Sequence, residues 1–364
     1  MKIKELLQHL EQHYPLALQE SWDNSGLQLG DPEQELSGVL VAIDATEAVI
    51  EEALEHGCNL IVTHHPLLFH PLKRISNRTY VERTVQMVLR NDLVLYAAHT
   101  NLDNSPRGIN AYWGERMGLQ NMRALAPLEG HHYKVVTYIS EGSADELRRA
   151  LMEAGIGRQG QYDGTSFSVR GEGRFRPQSG AHPHVGEQGV WHMEPEVMVT
   201  SLCAKVDLAR ALHVIRKVHP YEEPAIDVVP IMHQDPNLGG GVVGDLPEPV
   251  ALEELFDRMK AWQPIHSIAH SKVLKDPVQR IAYGGGACRE YIHAAASAGA
   301  DLFITGEAKY NDYYDAMDLV TLVTIGHYES EYLSEDILYN TLSQKNGTFA
   351  VRRASSSMNP ISYR

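Results

Sequence analysis

Short apolar runs alternate with helix-like segments in two separate parts of this 364-residue chain. In the first part, the runs that predict buried strands are residues 38–44, 59–63 and 93–98. Helices are predicted from Thr46 to about Gly57 and from Thr79 to about Arg90, because each begins at a threonine whose hydroxyl can cap the first turn. This alternation predicts parallel strands joined by crossover helices.

The same alternation returns near the end of the chain. Strands are predicted at residues 280–283, 301–305 and 319–325, with helices at residues 290–297 and from about Lys309. We therefore expect two similar α/β halves that form one core domain, residues 1–128 and 236–364.

The section between these halves, residues 129–235, has a different order of elements. A strand at 133–139 precedes a helix that residues 143–146 would open as a capping box. The following elements are strands at 165–170 and 197–202, a helix at 208–218 and a strand at 225–230. The order β-α-β-β-α-β is typical of an α+β ferredoxin-like domain, here inserted into the core, with residues 236–241 as the returning hinge.

Composition excludes several functional classes. The formal net charge of −15 argues against general nucleic-acid binding and against binding to acidic membranes. Three widely spaced cysteines predict neither a disulfide framework nor a Cys-x-x-Cys metal site. The first residues predict an amphipathic helix, and no apolar run is long enough to cross a bilayer, so we expect a cytoplasmic protein.

Metal-binding residue types follow the predicted strands. His64 and His65 come directly after residues 59–63, where Pro66 ends the strand and lets the two rings diverge. Asp103 follows the third strand, and His327 and Glu331 share one helical face after residues 319–325. The carboxyl ends of parallel strands gather functional groups, which favours a metal site.

A plainer interpretation explains the same residues. A chain with 19 histidines is expected to contain one adjacent pair by chance, and a second pair, His131 and His132, is present. Spacing alone therefore leaves core histidines and a surface ion pair as an open alternative. If metals do bind, three histidines and two carboxylates without a thiolate suit Zn, Fe, Mn or Co, and a two-metal site favours hydrolysis.

Two other motifs are weaker indications of a ligand-binding site. The glycine turn at residues 284–286 could present amides to an anion, but it lacks the G-x-G-x-x-G spacing and the lysine of a P-loop, so a plain strand–helix turn is the alternative. Asp23 and Asn24 could contact a ligand, or could belong to a turn that ends a helix.

Five segments together resemble a known family: residues 22–30 (WDNSGLQLG), 63–66 (THHP), 99–103 (HTNLD), 305–310 (TGEAKY) and 326–331 (GHYESE). In this order the chain resembles the dinuclear-metal-centre hexameric family, the NGG-interacting-factor-like proteins, often labelled GTP cyclohydrolase I type 2 homologues. The resemblance implies two divalent metal ions per chain and a toroidal homohexamer whose metal sites face an internal cavity. It also implies that the inserted domain is the PII-like domain of the longer members.

The resemblance also implies roles for individual residues. The metal ligands would be His64, His65, Asp103, His327 and Glu331, with Glu331 bridging both ions. The implied activity is metal-dependent hydrolysis of a nucleotide-like substrate such as GTP, with formate released from the five-membered ring of the purine. The residues expected to position the substrate or transfer protons are Asp23, Glu307 and Lys309.

The chain departs from the family pattern at two positions. Glu307 and Asn311 stand where members commonly have Asp and His, a change that keeps the five ligands but could remove a proton-transfer partner. The rival interpretation is a small-molecule sensor or regulatory adaptor that acts through the insert, with a structural or regulatory metal site. A metal store is a third possibility.

Overall fold

The computed structural model describes residues 1–345 and 347–364, which form two compact units. One unit contains residues 1–127 and 236–364, and the other contains residues 128–235. The elements that precede the second unit are α1 (Ile3–His13), β1 (Gly26–Leu29), β2 (Gly38–Ala42), α2 (Glu47–Glu55), β3 (Leu60–Thr63), α3 (Tyr80–Arg90), β4 (Val94–Ala97), α4 (Thr100–Asp103), α5 (Ile109–Met117) and β5 (Gln120–Pro127).

The second unit and the return to the first complete the chain. The second unit contains β6 (His132–Ser140), α6 (Ala144–Glu153), β7 (Ser166–Phe175), β8 (His192–Ala204), α7 (Leu208–Val218) and β9 (Ile226–Ile231). The elements that follow are β10 (Gly239–Val250), α8 (Leu252–Lys260), β11 (Ala269–His270), β12 (Val278–Gly284), α9 (Ile292–Ser297), β13 (Leu302–Thr305), α10 (Tyr310–Ala316), β14 (Thr321–Thr324), α11 (His327–Glu331), α12 (Leu333–Ser343) and β15 (Ala350–Arg353).

The first sheet has the strand order β1-β4-β3-β2-β15. Its central strands β2, β3 and β4 are parallel, as the alternating sequence pattern predicts. The predicted helix starts are also confirmed, because the Thr46 hydroxyl accepts from the Val49 amide and the Thr79 hydroxyl from the Glu82 amide. The sheet is nevertheless larger than predicted, since β1 adds antiparallel to β4 and β15 adds parallel to β2.

The second sheet has the order β11-β14-β13-β12-β10-β5. Strands β12, β13 and β14 are parallel as predicted, while β10, β5 and β11 pair antiparallel. The stretch at residues 236–241 is not simply a hinge, because β10 already begins at Gly239, whose amide donates to the Asn104 carbonyl. Both sheets are therefore mixed, and each contains a strand from the other end of the chain.

A continuous apolar core lies between these two sheets. At its centre Trp113 of α5 stacks on Tyr283 of β12, with ring centroids 4.0 Å apart and both side chains fully buried. The ends of β3, β4 and β14 lead directly into the polar segments that the sequence analysis selected.

The second unit is a four-stranded antiparallel sheet with the order β7-β8-β6-β9. The apolar faces of α6 and α7, with Leu147 and Ile215 among the buried residues, share one core with the sheet. The predicted capping box is wrong: Ser143 has helical backbone angles, and its hydroxyl pairs with that of Ser140 instead of capping α6.

Across residues 1–345 and 347–364, no helix is both long enough and apolar enough to span a membrane.

Candidate metal centre

His64 and His65 extend from the end of β3, whose four residues are all buried. The Nδ1–H of His64 donates to the Ala98 carbonyl at 2.9 Å, and that of His65 donates to Asp44 Oδ1 at 2.8 Å. The two ring centroids are 5.0 Å apart and the ring planes are inclined by 41°. Each ring thus has its Nδ1 engaged, which leaves its Nε2 for a metal.

His99 joins this pair, although the sequence analysis did not select it as a ligand. Its ring centroid lies 5.3 Å from that of His64, and the three histidines can bring one nitrogen each within 4.8 Å of one another. Its Nδ1–H donates to Asp23 Oδ1 at 2.7 Å. The signal that could have found it is its position, because His99 follows β4 much as His64 follows β3.

The short helix α11 supplies His327 and Glu331 from the second sheet. They lie four residues apart, which places His327 Nε2 3.1 Å from Glu331 Oε2. The Nδ1–H of His327 donates to Glu307 Oε1 at 2.9 Å, and Glu307 follows β13. A carboxylate that accepts from the second ring nitrogen is a common support for a metal-binding histidine.

The two sets of residues converge on the Glu331 carboxylate. Its Oε2 lies 2.8 Å from His65 Nε2, and its Oε1 lies 3.7 Å from His64 Nε2. Asp103 Oδ1 lies 3.8 Å from the same His64 nitrogen. Two ligand atoms that share one ion at about 2.0–2.1 Å are about 3 Å apart, so these separations are close to those of a metal site.

Two polar atoms at this convergence lack a partner. Among the described residues, His64 Nε2 and Asp103 Oδ1 are buried and accept or donate no hydrogen bond. A buried polar atom without a partner costs free energy, and a cation between these two atoms would satisfy both. The residues present therefore fit a metal ion.

Burial and neighbouring charges shift the pKa values of residues in the cluster. Burial alone would raise the pKa of the Glu331 carboxyl, but the imidazoles of His65 and His327 hold it well below its usual range. Burial alone would lower the pKa of His327, yet Glu331 raises it to about 9. The pKa of Asp103 is raised because burial outweighs the nearby histidines. The two carboxyl groups of the cluster therefore have pKa values shifted in opposite directions, that of Glu331 downward by the imidazoles and that of Asp103 upward by burial.

The glycine turn at residues 284–286 makes room for Glu331. Gly286 has φ +71°, and a Cβ at this position would lie 2.2 Å from Glu331 Oε1. The amide of Gly286 donates to Ser330 Oγ and that of Gly285 to Asn110 Oδ1. Since both amides have partners, the turn serves the approach of Glu331 and does not present a free anion cradle.

A cavity of about 440 Å³ opens beside the cluster. His65, His99, Asp103, His327 and Glu331 line it, so the cluster is accessible from this space. Asn110, Tyr291 and the backbone at Gly240 and Gly241 form other parts of its wall.

Comparison with known proteins identifies relatives that match nearly the whole chain. A family model described as DUF34/NIF3 (NGG1p interacting factor 3) matches residues 1–360. A Staphylococcus aureus protein named GTP cyclohydrolase 1 type 2 homolog is 33% identical over 368 residues, covering 100% of both chains. A Halalkalibacterium halodurans protein of the same name is 33% identical and covers 91% of this chain and 90% of its own.

A solved structure extends the likeness to three dimensions. A Bacillus cereus protein described as related to NIF3 superposes with a TM-score of 0.86 at 31% identity, covering 100% of this chain and 99% of its own. The chain belongs to the DUF34/NIF3 family.

The remaining predicted residues of this DUF34/NIF3 chain lie around the cluster. The Asp23 carboxylate accepts from His99, from the hydroxyl of Ser25 and from Thr100, and these contacts make it a support for His99. Glu307 supports His327 in the same way. Among the described residues, neither Lys309 nor Asn311 lines the cavity.

Lys309 and Asn311 lie at the beginning of α10. The Lys309 amide donates to Asp312 Oδ2 at 2.6 Å, and Asn311 is exposed to solvent. Position 311, where the resemblance implies a His in other members, therefore lies outside the cavity wall of this chain.

Proposed function

We propose that this protein is a metal-dependent hydrolase with a dinuclear centre that acts on a nucleotide-like substrate. The observation that carries the proposal is the pair of buried atoms without partners, His64 Nε2 and Asp103 Oδ1, beside the carboxylate of Glu331. His64 and Asp103 would hold one ion, His65 and His327 the other, and Glu331 would bridge them. His99 would be a sixth ligand, because one of its nitrogens can lie within 4.8 Å of those of His64 and His65.

The donor set favours Zn, Fe, Mn or Co. Nitrogen and oxygen donors surround the centre, and Ca or Mg would favour an all-oxygen set. Cys288 lines the cavity, but burial raises the pKa of its thiol, which donates to the Gly285 carbonyl. A thiolate ligand is therefore not part of the proposal.

The chain's own residues prepare this chemistry. Two divalent ions would supply Lewis acidity and lower the pKa of water, which is the requirement for hydrolysis. Asp23, Asp44 and Glu307 each accept from the Nδ1–H of one histidine, which fixes the tautomer and aims the Nε2 inward. The relatives' name supports a substrate that contains a guanine ring. Hydrolysis of the five-membered ring of the purine would release formate.

The first experiment measures metal content and turnover on one sample. Protein purified without added metal should contain two equivalents of metal per chain and should release formate from at least one of GTP, GMP and guanosine. Absence of metal would refute the centre. Full metal content without hydrolysis of GTP, GMP or guanosine would refute the hydrolase and leave the centre.

Single substitutions assign the ligands. His64→Ala and His65→Ala should each lower the metal content while far-ultraviolet circular dichroism stays unchanged. His293→Ala is the matched control, because His293 is an exposed histidine on α9. Unchanged metal content in both ligand variants would contradict the assignment.

A sensor is the second candidate function, and a cavity in the insert favours it. This cavity of about 500 Å³ is lined by Phe175, Tyr221 and Glu196 among others. The sheet order β7-β8-β6-β9 with two helices supports the assignment of a ferredoxin-like, PII-like domain. If the protein is an enzyme, Tyr221→Ala should leave formate release unchanged. Turnover that responds to this substitution would favour regulation through the insert.

The proposal includes a toroidal homohexamer with the metal centres facing an internal cavity. Its support is membership of the DUF34/NIF3 family. Light scattering should give the mass of six chains, and a monomeric mass would remove this part of the proposal.

A further inference from the structure

Two exposed aromatic side chains stand beside the metal centre. Trp22 is 58% exposed and Phe69 is 41% exposed, and both line the cavity. Their ring centroids are 5.9 Å apart, and they lie 6.0 and 6.3 Å from the ring of His99. Aromatic rings left open to solvent next to a reactive site are suited to stacking on a ligand.

The loops that carry these rings are tied to each other. The Nδ2–H of Asn24 donates to the Leu68 carbonyl at 2.7 Å, and the Leu68 amide donates to Gln28 Oε1 at 3.2 Å. Trp22 and Phe69 are therefore held as a pair, which we call the aromatic wall. Such preorganisation lowers the entropic cost of binding.

The charges of the cavity limit what can stack there. Five carboxylates line it, those of Glu20, Asp44, Asp103, Glu290 and Glu331, whereas none of its described lining residues is Lys or Arg. The five negative charges exceed the four positive charges that two divalent ions would bring. Proteins hold phosphate chains with Arg, Lys, backbone amides and metal ions. Here the carboxylates more than offset the charge of two divalent ions, and the amides of Gly285 and Gly286 already have partners.

Two of the carboxylates are available for hydrogen bonds to a ligand. Glu20 Oε1 accepts from Asn104 Nδ2 at 3.0 Å, which leaves its second oxygen, and Glu290 is exposed. Carboxylates accept from the N–H groups at the edge of a planar heteroaromatic ring.

We infer that the cavity binds a planar heteroaromatic ring that carries no phosphate chain, of the nucleobase or nucleoside class. The ring stacks on the aromatic wall, and its N–H edge faces the carboxylates. This inference rests on the proposed function, because it names the substrate class of the same site. It differs from the relatives' name in excluding a triphosphate.

The test compares guanosine with GTP by isothermal titration calorimetry on the metal-loaded full-length protein. Guanosine should bind at least as tightly as GTP, since the phosphates meet carboxylates without a compensating Lys or Arg. Trp22→Ala and Phe69→Ala should each weaken guanosine binding about 10-fold, as expected for the loss of one stacking partner. Metal content should stay unchanged in both variants.

Matched controls come from the insert. Trp191 is 72% exposed and Phe167 is 67% exposed, and neither lines the cavity. Trp191→Ala and Phe167→Ala should therefore leave guanosine binding unchanged.

Three results would overturn the inference. GTP binding more than 10-fold tighter than guanosine would show that the cavity accepts a phosphate chain. Unchanged guanosine binding in both wall variants, or no binding by the wild type, would show that the wall holds no ring. A change of oligomeric mass in Trp22→Ala would make the wall a subunit interface.

A failure of the proposed metal centre can be distinguished from a failure of the inferred substrate class. If the wild type contains no metal, the proposed function fails, while guanosine titration of the metal-free protein still reports on the aromatic wall. If metal is present and guanosine does not bind, the substrate class fails and the centre remains.

Discussion

The two sheets of the core unit contribute residues to the candidate metal centre by different means. The first sheet places His64, His65 and His99 near the ends of parallel strands, where the strand register sets the positions of the rings. The second sheet places His327 and Glu331 on the helix α11, where the spacing of four residues sets their separation. Strand-end ligands depend on pairing between distant segments, whereas helical ligands depend on local geometry.

Each sheet also orients its own histidine. Asp44, which follows β2, accepts from His65 at the end of β3, and Glu307, which follows β13, accepts from His327. Glu331 is different, because its carboxylate reaches across to His65 and His64. The carboxylates that orient His65 and His327 therefore lie within one sheet each, whereas the Glu331 carboxylate contacts histidines that follow the other sheet.

The largest effect is expected from breaking the contact that joins the sets. Glu331→Ala should lower the metal content from two equivalents to less than one, since both ions lose a ligand. His327→Ala should remove one equivalent only, because this ring approaches a single Glu331 oxygen. Elemental analysis with circular dichroism as a folding control measures both, and equal metal loss in the two variants would contradict a bridging role.

The packing between the sheets should matter next. Trp113 of α5 stacks on Tyr283 of β12, and both are fully buried. Trp113→Ala should lower the free energy of unfolding by about 3–5 kcal/mol, as for other buried aromatic truncations. Urea denaturation measures this loss. Trp191→Ala, at an exposed position, should stay within about 0.5 kcal/mol, and a similar loss in both variants would show that the stack is not what stabilises the core.

Removing the carboxylates behind His65 and His327 tests whether each sheet orients its own histidine. Asp44→Asn and Glu307→Gln should each reduce metal affinity about 10–100-fold, the usual effect of removing the carboxylate behind a ligating histidine. In each variant, chelator competition should show one ion bound more weakly than in the wild type and one ion bound with unchanged affinity. Uniform weakening of both ions would mean that the two sheets do not orient their ligands independently.

The smallest effect is expected at Glu52 of α2, which accepts hydrogen bonds from the two serines that follow β15. Burial alone would raise the pKa of Glu52 on α2, but hydrogen bonds from Ser356 and Ser355 outweigh it and lower the pKa to about 2. The ionised group therefore stabilises the fold above its ordinary pKa of 4.5, and this contribution is lost as the pH falls from 4.5 through 2.

Glu52→Gln tests this anchor. At pH 7 the variant should lose about 1 kcal/mol of unfolding free energy, because a neutral acceptor replaces a charged one. The difference between wild type and variant should shrink as the pH falls below 4.5. A difference that stays constant with pH would show that the charge of Glu52 does not contribute.

Much of the local structure could be predicted from the sequence. Apolar runs identified the parallel strands β2, β3 and β4, and Thr46 and Thr79 marked the helix starts. These features depend on residues that are near one another in the chain, so a local pattern is enough. Ser143 is the exception, because a turn preceding α6 diverted its hydroxyl to Ser140.

The candidate site likewise has features that local sequence predicts and features that depend on distant residues. The five residues predicted as ligands lie close together, and His99, which the sequence analysis did not select, lies beside His64 and His65. Asp23 and Glu307 were expected at the substrate, whereas the structure places both behind histidines. A carboxylate that faces a substrate and one that faces an imidazole look identical in sequence, because the distinction is made by a partner many residues away.

By itself, the sequence determined the types of the main elements, the strand-end positions of the histidines and the shared face of His327 and Glu331. Only the tertiary structure decided that β5 joins the second sheet and β15 the first, that Gly286 must lack a Cβ beside Glu331, and that Trp22 and Phe69 form one wall. The physical reason is that periodicity and spacing encode local conformation. Pairing between distant segments depends on the packing of the whole core.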